Sequence, residues 1–399
     1  YDNNVYAFDA LSGDVVWRFT TGCVVNAAAA FAEVNRQPRL FVASNDRCLY
    51  CLDAATGSQL WAYETAPWSY TVGHSQPASP LVATVDGHPL VLVTFWNTDR
   101  RPLRAIQKGE AFAFRADRRE LLWRTELSQS KLSAPAFLEV DGRPTVFVAG
   151  EDGAVRALDA RDGKLVWQTI TGRQIYAAPM VSIVSGQPIL FLGDWFGTLN
   201  CMSARNGRIL WSYKTQHAIN SSAALGKVGA RTLVFVGSYD RYLYAIDARS
   251  SSVRWRFLTQ KYVPSSPAVA KVQGKPAVFS ASLDNYLYAH DADTGKVLWC
   301  FKTGDMLWPY ETRGASIWSS PAIAEVEGIP LLIFGGHDGY LYAFTAKPKA
   351  GAGDSPTAVA IRRSHSPLRY VAPAVALLLW IVAGFLLVYW RKPNDRSRP

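Results

Sequence analysis

"YAHDADTGKVLW", residues 288–299, decides how the rest of the chain is read, because near-copies of it recur along the sequence. They are "YAFDALSGDVVW" from Tyr6, "YCLDAATGSQLW" from Tyr50, "RALDARDGKLVW" from Arg156 and "YAIDARSSSVRW" from Tyr244. Aligning them fixes one tryptophan per copy: Trp17, Trp61, Trp123, Trp167, Trp211, Trp255 and Trp299. The spacings are 44, 62, 44, 44, 44 and 44 residues, the signature of a repeat array. A catalytic group is needed once, so a phrase repeated this often reads as scaffold.

Each period holds four short apolar runs separated by turn residues. In the copy ending at Trp255 they are 221–228, 232–237, 242–247 and 252–258. Runs this short, joined by Gly, Asp, Ser and Asn, predict four-stranded antiparallel units, and no stretch sustains a 3.6-residue helical pattern. The runs are apolar on both faces, as at Leu243, Tyr244, Ala245 and Ile246, which suits sheets packed face to face around a ring. The fold expected is an all-β propeller. Asp9, Asp53, Asp159, Asp247 and Asp291 precede a turn whose backbone a short carboxylate can cap. Gly57, Gly163, Gly207 and Gly295 supply a left-handed position there, and Ser251 stands where those copies have Gly. The tryptophans are expected to dock between blades, each with a partner for its N–H.

These features resemble the PQQ-like propeller repeat with its tryptophan-docking motif, and "AHDADTGKVLWCFKTG" (289–304) matches that motif nearly throughout. The resemblance covers about residues 2–346 and implies a fold. The family spans quinoprotein dehydrogenases, BamB-like assembly scaffolds and sensor ectodomains, so it implies no single function. "FRADRRELLW" (114–123) departs from the pattern in lacking the Asp and Gly of the turn, and Ser203 stands where Asp is usual. Six complete blades lie between two strands at the start and three at the end. Eight blades are therefore expected in the intact protein, with an N-terminal segment preceding Tyr1. A seven-bladed closure, in which the N-terminal strands complete the last blade, is the alternative.

The chain has 399 residues and a net charge of +10, but the basicity belongs to the tail. Residues 347–399 hold nine Lys/Arg and two Asp, which leaves 33 basic against 30 acidic residues elsewhere. No nucleic-acid partner is expected of a body so nearly neutral. Five cysteines make no disulfide framework. Cys48 and Cys51, three apart on a strand, point to opposite faces, and Cys51 and Cys201 replace the alanine of sister repeats. No metal site is expected from them.

Residues 1–346 are thus the propeller and 347–369, rich in Gly, Pro, Ala and Ser, a flexible linker. Residues 370–390, "YVAPAVALLLWIVAGFLLVYW", carry no charge. As a helix they would span ~31 Å with aromatic ends, a single membrane crossing. A short basic tail, 391–399, follows it, and four cations after the span against three before it favour a cytoplasmic C-terminus. The propeller is expected on the periplasmic or extracellular side.

Function should sit where the 44-residue count breaks. Trp61 to Pro80 is 19 residues and Trp299 to Pro321 is 22, against 12 in regular copies, and 11 residues are added inside the copy ending at Trp123. In an up-and-down blade all three insertions emerge on one rim. They carry Trp68, Tyr70 and His74; Trp96, Arg100, Arg101 and Arg104; and Trp308, Tyr310, Glu311, Arg313 and Trp318. Shorter loops of that rim add Tyr176, His217, Asn220 and Tyr262. Aromatic and Arg side chains are the composition of interface anchors, so a protein or peptide partner is expected, with plugging of the central channel as the bland alternative. The resemblance implies a second reading, a quinoprotein-type oxidoreductase with PQQ and Ca²⁺ in the channel mouth, and a third, a small-ligand sensor. For the second, Asp305, Glu311, Asn220 and Trp318 are the oxygen-bearing and aromatic residues at hand, while the catalytic Asp of those enzymes matches no position here. The vicinal cysteine pair of those dehydrogenases is absent, and "GDWFG" and "GSYDRY" read as turns of the repeat.

Overall fold

The computed structural model describes residues 3–10, 12–65, 75–101, 104–272, 274–303, 319–326, 329–336, 340–345 and 358–362. They form eight antiparallel sheets in chain order. An N-terminal pair, Asn4–Phe8 and Val15–Thr20, is followed by blades 1 to 7, which span 30–64, 75–128, 136–170, 180–214, 224–258, 268–302 and 322–362. Within a blade the strands run a, b, c and d in sequence. Blade 5 is typical: Ala224–Val228, Arg231–Gly237, Tyr242–Asp247 and Val253–Leu258.

The blades make their cores with each other. Phe191 of blade 4 packs with Val234 and Tyr244 of blade 5, and Phe41 and Trp61 of blade 1 with Phe112 and Phe114 of blade 2. Ala10, next to the N-terminal pair, packs on Leu331, Ile333 and Ala343 of blade 7. Phe19 of that pair meets Tyr50 of blade 1 at 5.3 Å. The pair is therefore the eighth sheet of the ring. It does not complete blade 7, whose outer place is taken by Ala358–Arg362 pairing with Tyr340–Thr345. That strand lies within 347–369, the stretch expected as a linker. Five of its residues satisfy the open edge of strand c, which would otherwise show unpaired amides and carbonyls.

Tryptophan docking follows one geometry. The indole N–H of Trp17, Trp123, Trp167, Trp211 and Trp255 donates to the carbonyl of Ala54, Ala160, Ala204, Ala248 and Ala292 of the next blade, at 2.8–3.1 Å. Those alanines open the turn between strands c and d. There Asp247 accepts from the amides of Arg249 and Ser250 at 2.9 and 3.0 Å. Burial opposes the Asp247 charge, but these bonds hold its carboxyl below the usual range. Gly163 has φ +69°, and a Cβ on it would stand 2.5 Å from the Trp123 ring, so conformation and contact both require glycine. Ser251 adopts the same left-handed turn at φ 58°. Trp61 is the exception. Its expected acceptor, the Ala116 carbonyl, is occupied by the Arg39 guanidinium at 2.9 Å, and the buried Trp61 N–H has no partner among the described residues. In that turn Arg115 replaces the Asp and pairs with Asp117 at 2.9 Å. Trp299 stacks on Phe344 at 5.8 Å; residue 346, where its acceptor would lie, is outside the described residues.

Near the axis, serines do what the ladder does elsewhere. Ser221, Ser265 and Ser319 each bridge the amide and carbonyl of one strand-b residue: Gly237, Ala281 and Gly335. The next serine accepts from the blade before it, in Ala28 to Ser79, Ala178 to Ser222, Ser222 to Ser266 and Ser266 to Ser320 bonds of 2.9–3.0 Å. All five cysteines are free, and burial pushes the Cys51 and Cys201 thiols up to about 12. Among the described residues no helix is long and apolar enough to cross a membrane, and 370–390 lies outside them.

Two outcomes follow from this packing. Trp123→Ala should cost ~3–5 kcal/mol in urea denaturation of the full chain, as large aromatic truncations do, and Gly163→Ala should destabilise the same interface. The second concerns His290, fully buried against Trp255, Phe257 and Tyr288, its Nε2 without a partner. Burial lowers its pKa to about 4, opposed by the Gly295 carbonyl. The unfolded chain, at its ordinary ~6.5, takes up the proton first. Stability is therefore fully present above that value and falls as pH drops towards 4, by about 3 kcal/mol in all. His290→Ile, with the residue blade 5 has at 246, should flatten the urea midpoint over pH 4–7.

Candidate functional site

In every blade the b–c and d–a connections leave on one rim, and the c–d turns with their Asp and Gly leave on the other. The 11 residues added inside blade 2 were expected as a loop on this rim. They instead lengthen strands b and c, His88–Arg101 and Arg104–Arg115, into one hairpin paired residue for residue from Arg104↔Arg101 to Arg115↔Leu90. Strand b of blade 4 has 7 residues where this one has 14, so the hairpin stands about 20 Å above its neighbours. Ser75–Pro77 adds a short strand to its inner side.

The other b–c turns are pinned to the preceding d–a connection. Asp240 accepts from the Gln216 amide at 3.0 Å, the Tyr242 amide at 3.0 Å and the Tyr244 hydroxyl at 2.7 Å. Burial and that bond push the Tyr244 phenol up. Asp46 and Asp284 bind Gly22 with Tyr50 and Gln260 with Tyr288 in the same way. The second residue of each turn donates its amide to that connection as well: Asn45 to Val24, Glu151 to Lys131, Trp195 to Gln174, Tyr239 to Ala218 and Leu283 to Tyr262. Two rows of side chains, one from each connection, thus meet along the rim.

Across blades 4 to 6 those rows are aromatic. Tyr176 lies 5.3 Å from Trp195 at 69°, and Trp195 lies 5.9 Å from Tyr239 at 64°. Tyr239 stacks on Tyr262 at 5.1 Å with planes 2° apart, and His217 sits 6.0 and 6.1 Å from these two. Asn220 donates to the Tyr239 hydroxyl at 3.2 Å, and the Ala218 amide donates to Nδ1 of His217 at 2.8 Å. The band stays open to solvent: Tyr176 and Trp195 are each 39% exposed and Tyr262 is 45% exposed. At its edge the Arg173 guanidinium lies over the Phe196 ring at 4.5 Å.

Of the rim residues read from sequence, Tyr176, His217, Asn220 and Tyr262 come together here. Trp96 is on the hairpin, half-buried, with a buried N–H that has no partner among the described residues. Arg100, Arg101 and Arg104 form the hairpin tip. Trp68, Tyr70, His74, Trp308, Tyr310, Glu311, Arg313 and Trp318 lie outside the described residues, as does Asp305. Among the described residues no three His, Cys, Asp or Glu side chains are placed to hold a metal ion. Trp195 and Tyr239 were missed, because "GDWFG" and "GSYDRY" read as turns. They are turns, but comparison of the second turn position across copies (Asn45, Glu151, Trp195, Tyr239, Leu283) picks out the two aromatics.

The chain matches the family model described as outer membrane protein assembly factor BamB over residues 1–105, 74–194 and 195–348. No curated protein sequence matches it. Among solved structures it is similar to BamB from Moraxella catarrhalis, with 17% identity, 79% of this chain and 83% of that one covered, and a TM-score of 0.53. It is also similar to the quinohemoprotein alcohol dehydrogenase of Comamonas testosteroni (13%, 92% and 73%, TM-score 0.65). Sqt1 from Saccharomyces cerevisiae is a third (14%, 87% and 91%, TM-score 0.65). At these identities the likeness is one of fold.

The rim band and the docking tryptophans should separate in their energetics. Trp195→Ala should change the urea midpoint by less than the equivalent of about 1 kcal/mol, since an exposed ring has little packing to lose. Trp123→Ala, measured alongside, gives the scale of a scaffold residue.

Proposed function

The chain belongs to the family of outer membrane protein assembly factor BamB, and from that premise we propose that it is a membrane-anchored binding scaffold. It presents the loop-rich rim to a protein partner outside the cytoplasm. The observation that carries this reading is the aromatic band in which Tyr176, Trp195 and Tyr262 are exposed and Tyr239 is half-buried between them, built on turns whose backbones are locked by hydrogen bonds. Rigid aromatic side chains give large contact area at low entropic cost, and a monomer rarely leaves them in the open without a use. The hairpin of blade 2 extends the same rim. The family description, an assembly factor, is of a piece with action on proteins.

The anchor rests on the uncharged stretch 370–390, which is long enough to cross a bilayer as a helix. Residues between the last blade strand and that stretch serve as a tether. Four cations beyond the span, against three before it, support a propeller on the side away from the cytoplasm.

Photo-crosslinking in cells expressing the full chain tests both parts. A crosslinker at position 176 or 262 should give one discrete adduct with a protein. At position 162 or 293, in c–d turns of the opposite face, it should give none. The chain should stay with membranes after alkaline extraction, and its propeller should resist protease added from the cytoplasmic side. Equal adducts from both faces would remove the rim as the binding surface, and release by alkali would remove the anchor.

A further inference from the structure

The rim also indicates the charge of what it binds. Glu151 holds in blade 3 the turn position that Trp195 holds in blade 4. Its backbone is fixed by the amide bond to Lys131 at 3.0 Å. Its carboxyl makes no hydrogen bond or ion pair with any described residue. Burial raises its pKa, and Lys131 opposes that only in part. The Ile175 amide donates to the Gly150 carbonyl at 3.3 Å, which sets the next residues, Tyr176 and Glu151, beside each other, and the Tyr176 phenol is raised first by burial and then by the Glu151 charge. Tyr176 in turn touches Trp195, which stands steeply to Tyr239 as well.

A half-buried carboxylate with no hydrogen bond or ion pair to any described residue therefore stands at one end of a run of three half-open rings. Ring faces carry the negative end of the aromatic quadrupole and attract cations. An anion would meet both the faces and Glu151 as repulsive, and a neutral apolar group would leave the carboxyl unpaired in a drier site. A cation is attracted both by the ring faces and by the carboxylate. The same rim already holds one in this geometry, the Arg173 guanidinium over Phe196 at 4.5 Å.

We propose that Glu151, Tyr176, Trp195 and Tyr239 form a receptor for a cationic side chain, an Arg or Lys presented by the protein partner. The proposal rests on the scaffold reading above and names the chemistry of its partner. The partner's cation lies against the ring faces with its stem on the apolar edges, while the Glu151 carboxylate takes its hydrogen bonds.

The test is calorimetric titration of the full chain in detergent with the capped peptide acetyl-Gly-Arg-Gly-amide, beside the same peptide carrying citrulline. The arginine peptide should bind saturably and the neutral isostere at least about tenfold more weakly. Glu151→Gln and Trp195→Ala should each weaken the arginine peptide by about 3- to 30-fold, with thermal midpoints unchanged. Leu283→Ala, at the same turn position in blade 6, should leave binding as it was. Equal binding of the two peptides, no saturable binding, or indifference to Glu151→Gln and Trp195→Ala would each overturn the proposal. Tetramethylammonium chloride displacing the peptide at equal concentration would assign the site to free organic cations, and would overturn it too. If the peptide fails while crosslinks from position 176 or 262 persist, the scaffold reading stands without this one. If both fail, the rim is not a binding face.

Discussion

The hydrogen bond from a tryptophan N–H to an alanine carbonyl one blade further on is the constraint on which this molecule depends. It cannot form unless the acceptor turn is tight, and the turn is tight because an Asp caps it and a left-handed residue closes it against the indole. One contact thus asks for four things at fixed spacing: a short polar cap (Asp, or Ser203 in one copy), an Ala carbonyl, a left-handed residue (Gly, or Ser251 in one copy) and the Trp. Because donor and acceptor belong to neighbouring blades, each repeat is completed by the next. The hydrophobic clusters show the same dependence, each drawing its large side chains from two blades.

Blades 1 and 2 show what happens when both the Asp and the Gly of a turn are missing. Without Asp and Gly in the turn at 114–123, the Ala116 carbonyl is held by Arg39 and the Trp61 N–H loses its acceptor. This is also the blade whose hairpin departs furthest from the repeat. The docking contact and the added length lie at opposite ends of the same strands, so a change of the rim leaves the inter-blade core of Phe41, Phe112 and Phe114 in place. The serine chain near the axis gives a second set of links between blades, independent of the tryptophans.

Binding chemistry collects on the rim for a related reason. The c–d turns are committed to docking, and their side chains are consumed in capping and in contact with indole. The b–c and d–a connections are held by backbone amides and by an Asp, and this leaves the second turn position free to vary. Asn45, Glu151, Trp195, Tyr239 and Leu283 occupy it in successive described copies. The polar and aromatic members at 151, 195 and 239 adjoin one another, which gives the rim a preferred side. Tyr176, His217, Asn220 and Tyr262 were legible because they fall in loops. Trp195 and Tyr239 were not, because their turns look like repeat punctuation and only lateral comparison of copies separates the constant positions from the variable one.

The amino-acid sequence by itself determined the repeat, the strand boundaries to within a few residues, the docking role of the tryptophans and the end of blade 2 at which its added residues emerge. All of these follow from periodicity, and periodicity is a local property. Tertiary structure decided the rest. It placed the N-terminal strands as an eighth sheet, gave blade 7 its outer strand from 358–362, and turned an expected loop into a hairpin. It also brought Glu151, Tyr176, Trp195 and Tyr239 side by side from four different connections. Their proximity depends on the angle between blades and on which residues each blade turns towards its neighbour. Those are set by packing around the whole ring, and no single copy of the repeat contains them.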